Sequence, residues 1–216
     1  MTRVVVTGSG RCGTKYLSLL LSAVGVPCGH EQVYNADGAG EWPDGLRADS
    51  SWMAATMLHQ VDAPVALLVR HPLSVVKSWV EIGFFAPGDA DNPTHGPLQR
   101  FAPQVYDEAT PADRALMMWL VLNRVALPRA ELVIRLEQVV ADVGQVERLA
   151  RWAGGDPALA GLAHAAVPRC NRHEEMRART GVRHVPSWAT HRPGLARPAR
   201  DLARLIGYDP DRVPHG

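Results

Sequence analysis

Apolar residues follow two patterns along the chain: short continuous runs, and longer stretches in which they recur at every third or fourth position. The first pattern is typical of strands buried on both faces of a sheet, and the second is typical of amphipathic helices. Strands are predicted at 3–7, 26–33, 64–69 and 131–136. Helices are predicted at 14–24, 50–60, 72–80, 113–127, 137–153 and 197–206, with one more before residue 167.

The predicted strands and helices alternate, and this order is typical of a parallel sheet with helices on both faces. A length of 216 residues is suited to one core with a modest appendage. We therefore predict an α/β fold: a single three-layer domain over 1–216, with a central parallel sheet flanked by helices. The basic segment 167–216 is predicted to pack on that domain; from Arg169 to Arg212 it has ten arginines and five acidic residues.

Two stretches show neither pattern. Residues 34–47 are rich in glycine and acidic side chains, and residues 83–110 contain four prolines and few periodic positions. A connection as long as 83–110 inside a compact domain is usually functional, so we predict a lid or an acceptor-binding loop there. Between the two stretches, Asp49 or Ser50 is predicted to cap the helix at 50–60 with its side-chain oxygen.

Composition limits the class of protein. The chain is 46% hydrophobic and 21% charged, its net charge is +1, and it has no apolar run long enough to span a membrane. These values predict a globular protein with no membrane span and no general nucleic-acid-binding surface. The N-terminus lacks the apolar core of a secretion signal, so a cytoplasmic location is expected. The three cysteines lack the spacing of a zinc site or a disulfide framework.

A glycine-rich segment joins the first predicted strand to the first predicted helix. Residues 8–15 are Gly-Ser-Gly-Arg-Cys-Gly-Thr-Lys, and backbone N–H groups at such a junction bind anions. The P-loop of nucleotide triphosphatases ends in Gly-Lys-Ser/Thr, with the lysine on phosphates and the hydroxyl on magnesium. Here Thr14 and Lys15 stand in the reverse order, and Arg11 offers a cation from within the loop. A phosphate-like ligand is predicted, and a kinase or NTPase with an altered P-loop stays open as an alternative.

A second anion-binding pattern follows the strand at 64–69. Arg70 stands at the strand end, Pro72 begins the next helix, and Ser78 lies eight residues after Arg70. This spacing lets the strand end and the second helical turn converge on one anion.

Together the two segments resemble the sulfotransferase family that uses 3′-phosphoadenosine 5′-phosphosulfate (PAPS). That family has [KR]-x-G-T-x-[WYL] after its first strand, matched by residues 11–16. It also has R-x-P with a serine eight residues after the arginine, matched by residues 70–78. The resemblance implies a P-loop-NTPase-like fold, PAPS as co-substrate, adenosine 3′,5′-bisphosphate as product, and no metal. Trp119, Asn123 and residues 135–137 look like later features of the same family.

The resemblance also implies roles for individual residues. Arg11 takes the place of the loop cation that contacts the bridging oxygen and the 5′-phosphate, and Arg70 and Ser78 take the 3′-phosphate. The remaining PAPS-binding positions are Cys12, Gly13, Thr14 and Lys15. Cys12 and Lys15 depart from the family, in which hydroxyl residues are frequent at these two positions.

Transfer to a hydroxyl needs a base near the sulfur, because the acceptor loses its proton as it attacks. Residues 29–31 are Gly-His-Glu, which resembles a segment of bacterial family members. We expect Glu31 to be the catalytic base, with His30 as the second candidate and Asp49 as the third. Arg11 is expected to stabilise the charge on the leaving group.

The acceptor is expected to be a hydroxyl of a carbohydrate, a lipid or a small natural product, in a pocket shaped by residues 34–47 and 83–110. Because the chain is short for the family, we expect this pocket to be open or to be completed by a second subunit of a homodimer. Residues 179–181, Arg-Thr-Gly, resemble a family stretch near the adenine and the 3′-phosphate, although a solvated basic loop explains them equally. A nucleotide-binding protein that has lost its base is the remaining alternative.

Overall fold

A parallel sheet of five strands lies at the centre of the structure. The computed structural model describes residues 2–168, 184–185 and 187–212. The strands of the sheet are β1 (Val4–Gly8), β2 (Cys28–His30), β5 (Ala48–Ser50), β6 (Val65–Val69) and β7 (Ala130–Arg135). Their order is β2–β5–β1–β6–β7, and all neighbours run parallel. A separate antiparallel hairpin consists of β3 (Tyr34–Asn35) and β4 (Gly38–Ala39).

Helices cover both faces of the sheet, which confirms the predicted α/β class. They are α1 (Thr14–Ala23), α2 (Pro72–Glu81), α3 (His95–Phe101), α4 (Pro111–Ala126), α5 (Leu136–Ala141), α6 (Val143–Ala153), α7 (Ala160–Ala166) and α8 (Pro193–Leu205). Met53–Gln60 form a 3-10 helix. No helix among the described residues is long and apolar enough to cross a membrane.

The sheet separates two hydrophobic cores. Helices α1, α6 and α7 share one core with Val4 and Val6 of β1. The 3-10 helix, α2, α4 and α8 share the other core with Val5. Alternate side chains of one strand therefore enter opposite cores, and this is why the apolar runs in the sequence are continuous rather than alternating.

The predicted helical cap at residues 49–50 is wrong, because Asp49 and Ser50 belong to β5. This strand lies between β2 and β1, with Asp49 opposite Val5 of β1. Its polar sequence hides it from a search for apolar runs. Downstream, the predicted helix at 50–60 is the shorter 3-10 segment Met53–Gln60.

Three other predicted boundaries change for local reasons. The strand at 26–33 is reduced to Cys28–His30, because the side chain of Asp49 takes the N–H groups of the residues that follow Glu31. The helix at 137–153 is two helices, since Asp142 leaves the helical conformation and accepts the N–H of Gly144 as the cap of α6. The last helix begins at Pro193 rather than at 197.

The two irregular stretches are more structured than the sequence pattern predicts. Residues 34–47 contain the β3–β4 hairpin. Residues 83–110 contain α3 and two short 3-10 turns, and Phe84, Phe85 and Leu98 are buried in the core beside α2 and α4. The function of this segment as a lid or an acceptor-binding loop stays a prediction.

The part of the C-terminal segment that the structure describes packs on α4. Nδ1 of His191 lies 2.8 Å from Oδ1 of Asp113, and both side chains are buried. The guanidinium of Arg192 donates to both carboxylate oxygens of Glu108. These two contacts fix the start of α8 at the N-terminal end of α4. Residues 179–181 lie outside the described residues.

Candidate functional site

The two glycine- and arginine-containing motifs meet at one end of the sheet. Helix α1 follows β1 on one face, and α2 follows β6 on the other face. Because β1 and β6 are neighbours and the helices after them lie on opposite faces, their carboxyl ends lie where the strand order along the sheet reverses. Open parallel α/β sheets commonly bind ligands at such a switch point.

The loop between β1 and α1 contains three residues in the left-handed backbone conformation, and only two of them are glycines. Gly10 and Gly13 have φ angles of 72° and 100°, and Arg11, which is not a glycine, has φ 52°. Gly8 is required for a different reason, since a Cβ there would lie 2.3 Å from the carbonyl oxygen of Leu68. Left-handed backbone at a non-glycine residue is costly and is concentrated at functional sites.

Arg11, Arg70 and Ser78 form one contact network. Nε of Arg11 donates to Oγ of Ser78 at 2.8 Å, across 67 positions of sequence. Nη1 of Arg70 donates to the backbone carbonyl of Arg11 at 3.1 Å. The hydroxyl of Ser78 therefore contacts the loop arginine, and Arg70 holds the backbone of that same arginine.

The electrostatics of this network favour an anion. Burial lowers the pKa of both guanidinium groups, and the positive charge of Arg70 further lowers the pKa of Arg11. Within the described ranges, neither arginine forms an ion pair with a carboxylate. A phosphate or sulfate group that contacts both partly buried guanidinium groups would stabilise their charged forms.

The remaining loop residues have distinct surroundings. Burial raises the pKa of the Cys12 thiol to about 11, so Cys12 is a packing residue rather than a reactive thiol. Oγ1 of Thr14 lies 3.2 Å from Nε2 of His30, and the carbonyl of Thr14 accepts the hydroxyl of Ser50 at 2.8 Å. Lys15 is exposed on α1, close enough to His30 to lower the pKa of that imidazole.

His30 and Glu31 lie together at the end of β2, beside the loop. Nε2 of His30 is 3.8 Å from Oε1 of Glu31, and each side chain is about a third exposed, at 32% and 30%. Burial lowers the pKa of His30 to about 4, with a smaller contribution from Lys15. Burial raises the pKa of Glu31, and the charge of Asp49 adds to this effect. Of the two groups, Glu31 is therefore the stronger proton acceptor near neutral pH.

Asp49 holds the backbone that follows Glu31. The Asp49 side chain is fully buried, and its carboxylate accepts the backbone N–H groups of Gln32, Val33 and Tyr34 at 3.1, 3.3 and 3.1 Å. Glu31 immediately precedes these amides and has φ 58°. With its oxygens occupied by the backbone, Asp49 is better suited to fixing the strained turn than to taking a proton from an acceptor.

No protein-family model and no curated protein matches the chain. No cluster of three or more metal-ligating side chains occurs within residues 2–168, 184–185 and 187–212.

Two groups near the site were not singled out from the sequence. Oγ of Ser9 is buried in the loop and has no hydrogen-bond partner among the described residues. Its place in the glycine-rich segment was the only sequence signal. Tyr208 lies far along the chain and donates to Oε2 of Glu137 at 2.6 Å, next to the end of β6. No local pattern indicates this contact, since it joins residues 71 positions apart.

Proposed function

We propose that the protein is a sulfotransferase that moves the sulfuryl group of PAPS to a hydroxyl of a carbohydrate, a lipid or a small natural product. The observation that carries the proposal is the network of Arg11, Arg70 and Ser78 at the carboxyl ends of β1 and β6. It joins the two sequence motifs that resemble the family, and it presents two cations that an anion would bridge.

The residues present are suited to PAPS. Bound PAPS supplies a sulfuryl group on a phosphate leaving group, together with a 3′-phosphate. Arg11 and the loop amides from Cys12 to Thr14 would hold the phosphosulfate, and Arg70 with Ser78 would hold the 3′-phosphate. The buried hydroxyl of Ser9, which lacks a partner among the residues described, adds a free donor to the same loop.

Each proposed chemical role has a matching side chain. As the acceptor oxygen bonds to sulfur and the bond from sulfur to the phosphate oxygen breaks, the acceptor proton passes to the carboxylate of Glu31. The fixed charge of Arg11 faces the oxygen on which negative charge develops. The raised pKa of Glu31 suits a base that works near neutral pH.

A kinase or NTPase has less support from the same residues. Its P-loop lysine and metal-binding hydroxyl would occupy positions 14 and 15, where the order is reversed. The strand β6 is followed by Arg70 and His71 rather than by an aspartate. The carboxylate of Asp49 accepts three backbone N–H groups, so it is poorly placed to serve as the magnesium-binding aspartate of a kinase.

Ligand binding and product analysis test the proposal together. Thermal shift is measured with adenosine 3′,5′-bisphosphate, with ATP and magnesium, and with NAD. Sulfated products are then sought by mass spectrometry after incubation with PAPS and a cell extract. We expect stabilisation by the bisphosphate and product formation in excess chelator. Stabilisation by ATP and magnesium alone would favour the kinase, and tight bisphosphate binding without any product would favour a protein that has lost its activity.

A further inference from the structure

The C-terminal end of α8 reaches the strand end that carries Arg70. The chain turns at Gly207, with φ 88°, and then buries the side chain of Tyr208. The ring of Tyr208 meets the ring of His71 edge-on, with 5.5 Å between centroids. Arg135 at the end of β7 lies 5.7 Å from the ring centroid of Tyr208 and donates to the carbonyl of Gly207.

Glu137, in the first turn of α5, links Tyr208 to the strand end. Its Oε2 accepts the hydroxyl of Tyr208 at 2.6 Å, and its Oε1 accepts the backbone N–H of His71 at 3.0 Å. Burial raises the pKa of Tyr208, and the neighbouring carboxylate adds to this effect, so the phenol keeps the proton that it donates.

The bond to His71 fixes one specific peptide unit. The N–H of His71 and the carbonyl of Arg70 belong to the same planar peptide group. Nε1 of Trp119 donates to that carbonyl at 3.1 Å. The peptide is therefore held at both of its polar atoms, by Glu137 on one side and by Trp119 on the other. Its orientation sets the direction in which Arg70 leaves the strand.

Glu137 also balances the charge of Arg70. The proximity of this carboxylate raises the pKa of the Arg70 guanidinium, against the larger lowering caused by burial. A carboxylate that is partly withdrawn from water needs hydrogen-bond donors, and Tyr208 and His71 supply one for each oxygen.

We propose that Glu137 and Tyr208 are positioning residues for Arg70, so that the C-terminal end of the chain sets the 3′-phosphate site. This inference rests on the proposed function, in which Arg70 binds the 3′-phosphate of the nucleotide. It predicts that substitutions of Glu137 or Tyr208 change the ratio of the dissociation constants of adenosine 3′,5′-bisphosphate and adenosine 5′-monophosphate. The reason is that only the first ligand has a 3′-phosphate for Arg70 to bind.

Four variants of the full chain test the proposal. Glu137→Ala removes both hydrogen bonds, and Tyr208→Phe removes one. Glu137→Gln keeps an acceptor for His71 and offers an amide to the phenol oxygen, so it loses only the charge. Asp113→Asn is the matched control, because it weakens the contact with His191 at the other anchor of α8 and leaves Glu137 untouched. Dissociation constants for both nucleotides are measured by calorimetry.

In Glu137→Ala we expect the affinity for the bisphosphate to fall by about tenfold or more, with a much smaller change for the monophosphate. Tyr208→Phe is expected to change the ratio of the two affinities in the same direction by a smaller factor. If Glu137→Ala does not fold, Tyr208→Phe is the variant that tests the proposal. Glu137→Gln should restore most of the discrimination, and Asp113→Asn should leave the ratio at the wild-type value.

Two kinds of failure are distinguishable. If the wild-type protein binds neither nucleotide, the proposed function is wrong, and the positioning role is wrong with it. If the wild type prefers the bisphosphate but the Glu137 and Tyr208 variants change both affinities equally, the positioning role alone is overturned. A loss of discrimination in Glu137→Gln as large as in Glu137→Ala, or in Asp113→Asn, would also overturn it.

Discussion

At the scale of single residues, burial separates two neighbouring side chains that look equally suited to proton transfer. It lowers the pKa of His30 to about 4 and raises the pKa of Glu31. Near neutral pH the imidazole is therefore a weak base, and the carboxylate is a stronger one than an ordinary glutamate. The strained φ of Glu31 and the three amides held by Asp49 fix that carboxylate beside the loop.

The first prediction concerns the identity of the base. Glu31→Gln keeps the shape of the side chain but cannot accept a proton, so turnover should fall by about 10²-fold or more. The affinity for adenosine 3′,5′-bisphosphate should stay near the wild-type value. Both quantities are measured by steady-state kinetics with PAPS and by calorimetry.

His30→Ala is the internal control for this substitution. A smaller loss of turnover in His30→Ala than in Glu31→Gln agrees with the assignment. A larger loss would move the base to His30, and near-wild-type turnover in both variants would rule out the Gly-His-Glu segment as its source.

The second prediction concerns pH. The negative charge of Asp49 disfavours the ionised form of Glu31 and so helps to raise its pKa, together with burial. Removing that charge in Asp49→Asn should lower the pKa of Glu31. The acidic limb of the rate profile should therefore move to lower pH. His30, which lies 3.8 Å from Glu31, and Lys15, which acts on His30, are unchanged in this variant.

The pKa of Glu31 is measured directly by carboxyl ¹³C NMR titration, which does not depend on knowing the acceptor. Asp37→Asn, an exposed charge in the β3–β4 turn, is the matched control and should leave the titration unchanged. A Glu31 titration that does not move in Asp49→Asn, or that moves as much in Asp37→Asn, would contradict the role given to Asp49.

At the scale of elements, the tight loop after β1 depends on close approach of the backbone. Gly8 lies against β6, where a Cβ would meet the carbonyl oxygen of Leu68 at 2.3 Å and the sulfur of Cys12 at 2.6 Å. The carbonyl belongs to a sheet strand and cannot move aside easily. The close packing of β1 against β6 therefore requires glycine at position 8.

The third prediction follows from this contact. Gly8→Ala should lower the free energy of unfolding by about 2 kcal/mol or more, as overpacking in a rigid interior does. The measurement is urea denaturation monitored by circular dichroism. Gly161→Ala in α7 is the control, since nothing lies within 4 Å of its added methyl group. It should be neutral or stabilising, and an equal loss in both variants would contradict the steric explanation.

The sequence pattern predicts the elements that are buried and apolar, and it fails where polar residues are buried. The runs at β1 and β6 and the helix at α4 appear within a few residues of their predicted bounds. The strand β5 could not be recognised, because Asp49 and Ser50 look like helix caps until their long-range partners are known. The break at Asp142 likewise depends on a local cap that competes with helix continuation.

At the scale of the whole molecule, the sequence predicts which two motifs lie next to each other but not which residues hold them in place. The convergence of Arg11, Arg70 and Ser78 follows from two strand-to-helix junctions on adjacent strands. The hydrogen bond between Tyr208 and Glu137 joins residues that are 71 positions apart. No periodic pattern in the sequence indicates it, so only the folded structure reveals it. Short motifs are visible in the sequence, whereas the partners that orient them are set by topology.

Arg70 and Ser78 are proposed to bind the 3′-phosphate, and calorimetry of variants at these two positions and at one control serine tests this proposal. Dissociation constants of adenosine 3′,5′-bisphosphate and adenosine 5′-monophosphate are measured for the wild type, Arg70→Ala, Ser78→Ala and the control Ser22→Ala, in the last turn of α1. Hydrogen bonds to charged groups contribute about 1.5 to 3 kcal/mol. Arg70→Ala should therefore lower the affinity for the bisphosphate by roughly 10- to 100-fold and the affinity for the monophosphate by far less. Ser78→Ala should shift the ratio in the same direction, and Ser22→Ala should not. Equal losses of affinity for both nucleotides in Arg70→Ala and Ser78→Ala would show that these two residues do not form a 3′-phosphate site.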